Sequence, residues 1–498
     1  MQKILFISSE AQPLIKTGGL ADVSGALPAA LKAMRHNVCL MLPAYGEVLA
    51  KLDKPKTVAQ LHIPGLPGSV ELLEDKLPTS GVKLLLVKYG PAYDRPGNPY
   101  VDPQGHPWPD NAERYALLAR AATLVALNQA GLDWQPDVVH CNDWQTGLVP
   151  ALLYSESHTL QRPRPATIFT IHNLAYQGLF PQHVFNELAL PQHLWSPSAL
   201  EFHGQLSFIK GGIVFADRVN TVSPRYAEEI QTAEFGYGLE GLLQHRRSVL
   251  SGIINGIDDA EWNPETDPHI AAQYTAETLQ NKKKNKLDLQ HYYKLPDDRD
   301  VMLLGFIGRL VEQKGVDLII KAIKQCAGQA FQFVFLGSGN TKLEEELKQL
   351  AAANPDQIGV YIGYNEALAH KIEAGSDCFM MPSRFEPCGL NQLYSLRYGT
   401  VPIVTDVGGL SDTITDVRHS QRKKAQATGI KLSAINATAL YDAFQQAYAL
   451  YQQPEQWNTL IHNGMTQSFN WQTSAKHYLA LYKTAAQQQT QKLSVLSP

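Results

Sequence analysis

A chain of 498 residues is too long for one ordinary hydrophobic core, so two or three domains are expected. Its residues are 44% hydrophobic and 18% charged, a globular composition, and a formal net charge of −4 gives no electrostatic reason for nucleic acid or an anionic membrane as partner. No apolar run approaches the roughly 20 residues that cross a bilayer, and the five cysteines, odd in number and without C-x-x-C spacing, argue against a disulfide framework or structural zinc. The opening run, residues 3–9, is too short for a secretion signal, and a reducing cytosol is the expected compartment.

The chain opens on a strand at 4–8, followed by Lys16-Thr17-Gly18-Gly19-Leu20-Ala21-Asp22-Val23 ahead of a helix through Leu27 and Leu31. Paired glycines there let backbone N–H groups approach a ligand, and the helix start favours negative charge. A strand–Gly-Gly–helix alone is a plain turn; Lys16 adds the cation that points to binding. Further buried strands are expected at 138–140, 167–171 and 218–222. Ser251-Gly252-Ile253-Ile254-Asn255-Gly256 suits a sharp connection between halves.

The second half begins with Lys282-Lys283-Lys284, expected as a solvated helix face. Asp298-Arg299-Asp300 has the spacing of a metal-binding Asp-x-Asp, but it enters the strand at 301–307 rather than leaving it, so a polar turn is the better account. At the carboxyl end of that strand stand Arg309 and Lys314, with Gly315 opening the next helix (317–327). Two cations there suit a diphosphate leaving group, against the plainer alternative of surface charges. Gly337 and Gly339 follow the strand at 331–336; this loop is either an ordinary turn or the phosphate side of a doubly wound sheet. After a helix at 341–352 come strands at 360–362 and 378–381, and then Pro382-Ser383-Arg384-Phe385-Glu386-Pro387-Cys388-Gly389-Leu390, leading into a helix at 392–398 and a strand at 401–404. A carboxylate at Glu386 can meet sugar hydroxyls or positive charge on an anomeric carbon, although one Glu in a loop is usually just solvated. Residues 470–488 carry helical spacing through Trp471, Ala475, Tyr478, Leu479 and Tyr482, with a polar tail at 489–498.

Taken together, the sequence resembles the bacterial glycogen synthase and plant starch synthase family. The resemblance rests on the glycine motif at Lys16, on Tyr93-Asp94-Arg95-Pro96-Gly97, Asn142-Asp143-Trp144 and the run Thr170 to Gly178 around His172. It continues through Asn255-Gly256-Ile257-Asp258, Arg309-Leu310 with Gln313-Lys314-Gly315, the Glu386 loop, and Gly408-Gly409-Leu410-Ser411-Asp412-Thr413. It implies an α/β GT-B enzyme: two Rossmann-like doubly wound parallel-sheet domains facing an interdomain cleft, an acceptor domain at 1–252, a donor domain at 253–469, and a terminal helix at 470–488 crossing back to the first domain.

The activity it implies is metal-independent, cofactor-free, retaining transfer of glucose from ADP-glucose to the non-reducing end of an α-1,4-glucan. The partners are then ADP-glucose and the glucan, with neither nucleic acid nor membrane, in the bacterial cytoplasm or, for a plant chain, the plastid. By position, Arg309 and Lys314 hold the donor phosphates together with Lys16, Gly18 and Gly19. Tyr364 stacks on adenine, and Glu386 and His172 line the glucose pocket. The backbone of Cys388, Gly389 and Leu390 with Asn391 binds the sugar, and Asp143, Trp144 and Gln145 face the acceptor. Gln145 stands where many members have His, and Asn391 where Thr is common. The alternatives are another GT-B retaining glucosyltransferase, disfavoured because Tyr394 stands where sucrose- and trehalose-type enzymes carry a second Glu, and a non-catalytic glucan-binding relative. Sixteen histidines without ligand spacing leave no expected metal site.

Overall fold

The computed structural model describes residues 1–418 and 426–496, the last seven by backbone alone. The chain divides into two compact units, Met1–Gly256 with Trp471–Pro498, and Ile257–Asn470.

The first unit is built on a nine-stranded sheet in the order β12-β11-β7-β6-β1-β2-β5-β4-β3. Its parallel part comprises β1 (Lys3–Ile7), β2 (Asn37–Pro43), β5 (Lys83–Lys88), β6 (Val138–Asn142), β7 (Ala166–Ile171), β11 (Arg218–Thr221) and β12 (Leu250–Gly252). Strand β1 from Ile4 to Ile7 and all of β6 and β7 are buried, as parallel strands covered on both faces must be. An antiparallel edge of β3 (Lys56–Leu61) and β4 (Val70–Lys76) extends the sheet beyond β5. A separate ribbon of β8 (Leu179–Pro181), β9 (Glu201–Phe202) and β10 (Gln205–Ser207) lies between β7 and β11 in sequence.

The last helix, Trp471–Leu496, belongs to this unit and runs past the 488 expected from the sequence, because its continuation holds good helix formers in Gln489, Gln491, Lys492 and Leu493 and neither Gly nor Pro before 497. Trp471, Ala475, Tyr478, Tyr482 and Ala485 form its buried stripe. The hydroxyl of Tyr482 lies 2.8 Å from Nδ1 of buried His140 on β6, and Asn220 Nδ2 on β11 donates to the Tyr478 hydroxyl at 3.2 Å. The helix thus closes polar groups that a parallel sheet would otherwise bury alone.

In the second unit the described residues form a sheet ordered β15-β14-β13-β16-β17-β18. Its strands are β13 (Met302–Ile307), β14 (Phe331–Gly337), β15 (Ile358–Ile362), β16 (Cys378–Met381), β17 (Val401–Val404) and β18 (Ile430–Lys431), all parallel. Asp298 Oδ1 accepts from the Asp300 amide, the polar turn expected before β13. Lys282 departs from its expected solvated face. It is buried, and its ammonium donates to the carbonyls of Glu373 and Ala374 and to the Thr400 hydroxyl, while Lys283 and Lys284 remain in solvent. The helix Lys282–Tyr293 carries the three lysines in succession, so only one of them points at the helix Glu366–Gly375 beneath.

Candidate functional site

In an open parallel sheet, ligands sit beyond the carboxyl ends of the strands, where the strand order reverses direction. In the second unit that point lies between β13 and β16, with β14 and β15 following to one side and β17 and β18 to the other. The loop after β13 carries Arg309 and the 3₁₀ turn Glu312–Lys314; the loop after β16 carries Glu386. The sheet therefore brings two segments far apart in sequence to one place.

Lys314 Nζ donates to Glu386 Oε2 at 2.5 Å, and the Ser383 hydroxyl donates to the same oxygen at 3.1 Å. Glu386 is only 6% exposed, so its charge is held by this pair rather than by solvent. Arg309 Nη2 donates to Gln313 Oε1, and Gln313 Nε2 donates to the Phe385 carbonyl, which joins the two loops. Arg384 clasps Asp317 through both carboxylate oxygens at 2.8 and 2.9 Å. Hydrogen bonds from Arg384, with the charges of Arg384 and Lys321, hold the Asp317 carboxyl below its usual range against the opposing effect of burial.

The approach of the loops depends on glycine. Gly315 sits at φ +71, and a Cβ there would fall on the Pro382 carbonyl. A Cβ on Gly409, from the helix Gly408–Thr413, would likewise fall on the Cys388 carbonyl. Cys388 is buried, and Asn391 Nδ2 donates to the Ile307 carbonyl at 2.7 Å, which ties the helix Asn391–Arg397 to the end of β13. Leu390 caps that helix, and Gly389, at φ +71, lies against the Gln392 side chain. Gly337 and Gly339 face the backbone of Gly308 and Leu310, with Leu310 and Gly339 forming a parallel bridge. The glycines of this loop bring it against the Arg309 segment. Tyr364 stands apart from this cluster after β15, 76% exposed, and its hydroxyl donates to Glu366.

The first unit repeats the logic, its order reversing between β1 and β6. Lys16 lies after β1, exposed and 2.8 Å from Asp22, and Gly18 precedes the helix Gly19–Ala33 with open space about its Cα. Glu10, absent from the sequence reading, anchors this loop: its Oε2 accepts from the Thr17 amide at 2.6 Å and the Thr17 hydroxyl at 2.7 Å. A single Glu after a strand gives no signal of that role in the sequence. After β6, Asp143 adopts φ +56, rare for a residue with a side chain, and its Oδ1 accepts from the amides of His172 at 2.7 Å and Asn173 at 3.4 Å. His172 Nε2 meets Asn142 Oδ1 at 3.0 Å, and burial lowers the imidazole to about 3, so the ring is neutral at physiological pH.

Gln145 is buried at 5% exposure, and its Oε1 finds no hydrogen-bond partner. Trp144 lies edge-on to Tyr115 and packs on Gly178, and it borders a pocket of about 570 Å³. Trp108, Tyr176, Phe180, Phe202 and Tyr237 share that wall. Arg95 explains the Trp108 side: it pairs with Asp110 through both carboxylate oxygens and lies 4.7 Å over the indole.

Burial pushes Glu10 up to about 7 despite the Thr17 hydrogen bonds, and pushes Asp143 to about 7 despite the two amides. Both groups keep a proton when folded that the unfolded chain releases at lower pH. Their contribution to stability is therefore complete below pH 4 and is lost as pH rises to about 7. Relative to the parent, Glu10→Gln and Asp143→Asn are each expected to flatten the fall in unfolding free energy between about pH 5 and about pH 7.5. Denaturant titrations across that window check it; unchanged slopes would reject the assignment.

Comparison with known proteins follows the same division. Residues 3–245 match the family described as starch synthase catalytic domain, and residues 293–459 match glycosyl transferases group 1. The chain is 54% identical to glycogen synthase 1 of Methylococcus capsulatus over 496 residues, covering 100% of this chain and 99% of that one. It is 54% identical to glycogen synthase of Thioalkalivibrio sulfidiphilus, covering 97% and 99%. Among solved structures, the catalytic domain of starch synthase IV from Arabidopsis thaliana, bound to ADP and acarbose, matches with a TM-score of 0.88 at 31% identity, covering 98% of this chain and 99% of that chain. Sucrose-phosphate synthase from Thermosynechococcus elongatus, at a TM-score of 0.57 and 17% identity over 97% and 99% of the two chains, shares the fold.

Proposed function

The chain belongs to the glycogen and starch synthase family of glycosyltransferases, and from that premise we propose that it transfers glucose from ADP-glucose to the non-reducing end of an α-1,4-glucan with retention. Its fold is GT-B, with two Rossmann-like domains. The observation that carries the reading is the meeting of Arg309, Lys314 and Glu386 at the reversal point between β13 and β16. Two cations and one largely buried carboxylate suit a reaction that expels a diphosphate and leaves positive charge on a sugar carbon.

In this reading Arg309 and Lys314 receive the donor diphosphate, with Lys16, Gly18 and Gly19 as further phosphate contacts. The bond from anomeric carbon to phosphate oxygen breaks as the acceptor 4-hydroxyl oxygen bonds to the same carbon face. The acceptor proton passes to the departing phosphate, so the step balances without a metal or cofactor. Glu386 opposes the charge that develops on the sugar. The backbone of Cys388, Gly389 and Leu390 with Asn391 meets its hydroxyls, and neutral His172 offers a hydrogen bond without competing for the phosphate. Tyr364 supplies an exposed ring for adenine. The ligands bound to the Arabidopsis relative, ADP and acarbose, fit this pairing of nucleotide and glucan. Bacterial relatives and five buried cysteines agree with a cytoplasmic enzyme.

The aromatic pocket beside Trp144 suits the glucan, since ring faces pack on the C–H faces of sugars and Gln177 and Asn111 add polar contacts. Trp144→Ala is expected to raise the glucan KM about tenfold while the donor KM stays within twofold, because about 1–2 kcal/mol of ring packing is lost. Initial rates with each substrate varied in turn check this; an equal rise in both KM values would remove Trp144 from the acceptor site.

The function is tested with purified protein, glycogen and either ADP-glucose or UDP-glucose in chelator, following nucleotide release and glucan growth. Growth with ADP-glucose is expected. No turnover with either donor would favour a non-catalytic relative.

A further inference from the structure

We propose that the second unit carries a binding site for a divalent transition-metal ion of the zinc class, formed by His370 Nε2, Glu366 and Glu261. The ligand atoms of these three residues lie within 4.8 Å of one another. Glu366 and His370 are one turn apart on the helix Glu366–Gly375, so both face the same side, and Glu261 comes from the segment after Gly256.

His370 marks this as a built site rather than a chance gathering of surface acids. It is 1% exposed, and its Nδ1 lies 2.7 Å from Asp267 Oδ2, which also accepts from the Tyr398 hydroxyl at 2.6 Å. A carboxylate has no proton to give, so Nδ1 carries a proton, and in the neutral ring the lone pair is on Nε2. An imidazole fixed in this way by a carboxylate is the usual support of a metal-bound histidine. Trp262 stacks on the ring at 3.9 Å with an interplanar angle of 9°, holding its plane. Nε2 itself makes no hydrogen bond among the described residues, and points at Glu366 Oε1 at 3.9 Å. That is too far for a hydrogen bond and close to the separation of two ligands on one ion. The other oxygen of Glu366 accepts from Tyr364, which leaves Oε1 to the ion.

One imidazole and two carboxylates suit Zn²⁺ or a neighbour in its series; Mg²⁺ and Ca²⁺ prefer an all-oxygen shell. With bonds of about 2.0–2.2 Å, tetrahedral ligands stand about 3.4 Å apart. The two glutamates close that gap by side-chain rotation, since Glu261 is exposed and Glu366 half-buried. Occupancy would pin the segment after Gly256 to the helix of His370, and the ion would act as a staple rather than in the chemistry. The sequence hides such a site because its third ligand lies far from the other two in the chain.

The test is Zn²⁺ binding to the full chain by calorimetry, with the d–d absorption of Co²⁺ as a second probe and thermal unfolding in Zn²⁺ against chelator as a third. One ion per chain, four-coordinate cobalt bands and a higher unfolding midpoint in Zn²⁺ are expected. Glu261→Gln should lower affinity at least about tenfold and leave glucan synthesis in chelator unchanged, and Glu366→Gln should do the same to affinity. His370→Asn should abolish binding; because it alters a buried residue, the two glutamine variants decide the matter if it fails to fold. No binding, or binding indifferent to both glutamine variants, would overturn the proposal.

Discussion

Glu386→Gln is expected to lower kcat about 10²–10³-fold while leaving ADP affinity within about threefold of the parent. The amide preserves the shape of the side chain and can still accept from Lys314 Nζ and the Ser383 hydroxyl, so the loop keeps its contacts. What it loses is a negative charge, and that charge matters when the sugar carbon becomes positive. Nucleotide binding should hardly suffer, because Lys314 without a carboxylate partner is freer to meet phosphate. A kcat loss with ADP affinity held or improved therefore separates charge stabilisation from mere anchoring of Lys314. Isothermal titration with ADP and steady-state rates with glycogen provide both numbers. Falling ADP affinity with preserved turnover would show that Glu386 serves the cation and not the sugar.

The sequence makes the strands of this site legible for a physical reason. Residues 301–307, 331–336, 378–381 and 401–404 are short and continuously apolar, as only doubly covered parallel strands are, and each lies within a residue or so of an observed strand. The edge strand β3 has no such signal, because a half-exposed strand such as 56–61 mixes polar and apolar residues without such a run. Arg309 and Lys314 were legible as candidates because charged residues at a strand end interrupt an apolar run, and Glu386 only through the resemblance of the loop around it to the family's motif. Their mutual contact was not, since it depends on β13 and β16 being neighbours, a fact of sheet order that no local pattern encodes. Glu10, and the contact that Ser383 makes within its motif, had no signal for the opposite reason: each is an ordinary residue whose meaning lies in what it touches. Gln145 was read as an acceptor contact, and its depth could not be read from its type.

Lys314→Ala is expected to lower kcat/KM about 10³-fold with the fold retained, and to weaken ADP binding as Glu386→Gln does not. The ammonium is partly open, with 22% of its side chain exposed, so solvent can take its place beside Glu386 and the Ser383 hydroxyl still holds the carboxylate. The stability cost should accordingly fall below the 3–5 kcal/mol (roughly) that follows breaking a fully buried pair. Lys314→Arg should recover only part of the rate, because the planar fork cannot sit as a point charge on the same oxygen. The double variant Lys314→Ala with Glu386→Gln then separates the two roles. Were Lys314 merely the counter-charge of Glu386, neutralising both would restore ADP affinity to the parent level. With Lys314 on the leaving phosphate, the double variant binds ADP as weakly as Lys314→Ala alone, and the cation belongs to the departing diphosphate whatever its partner carries.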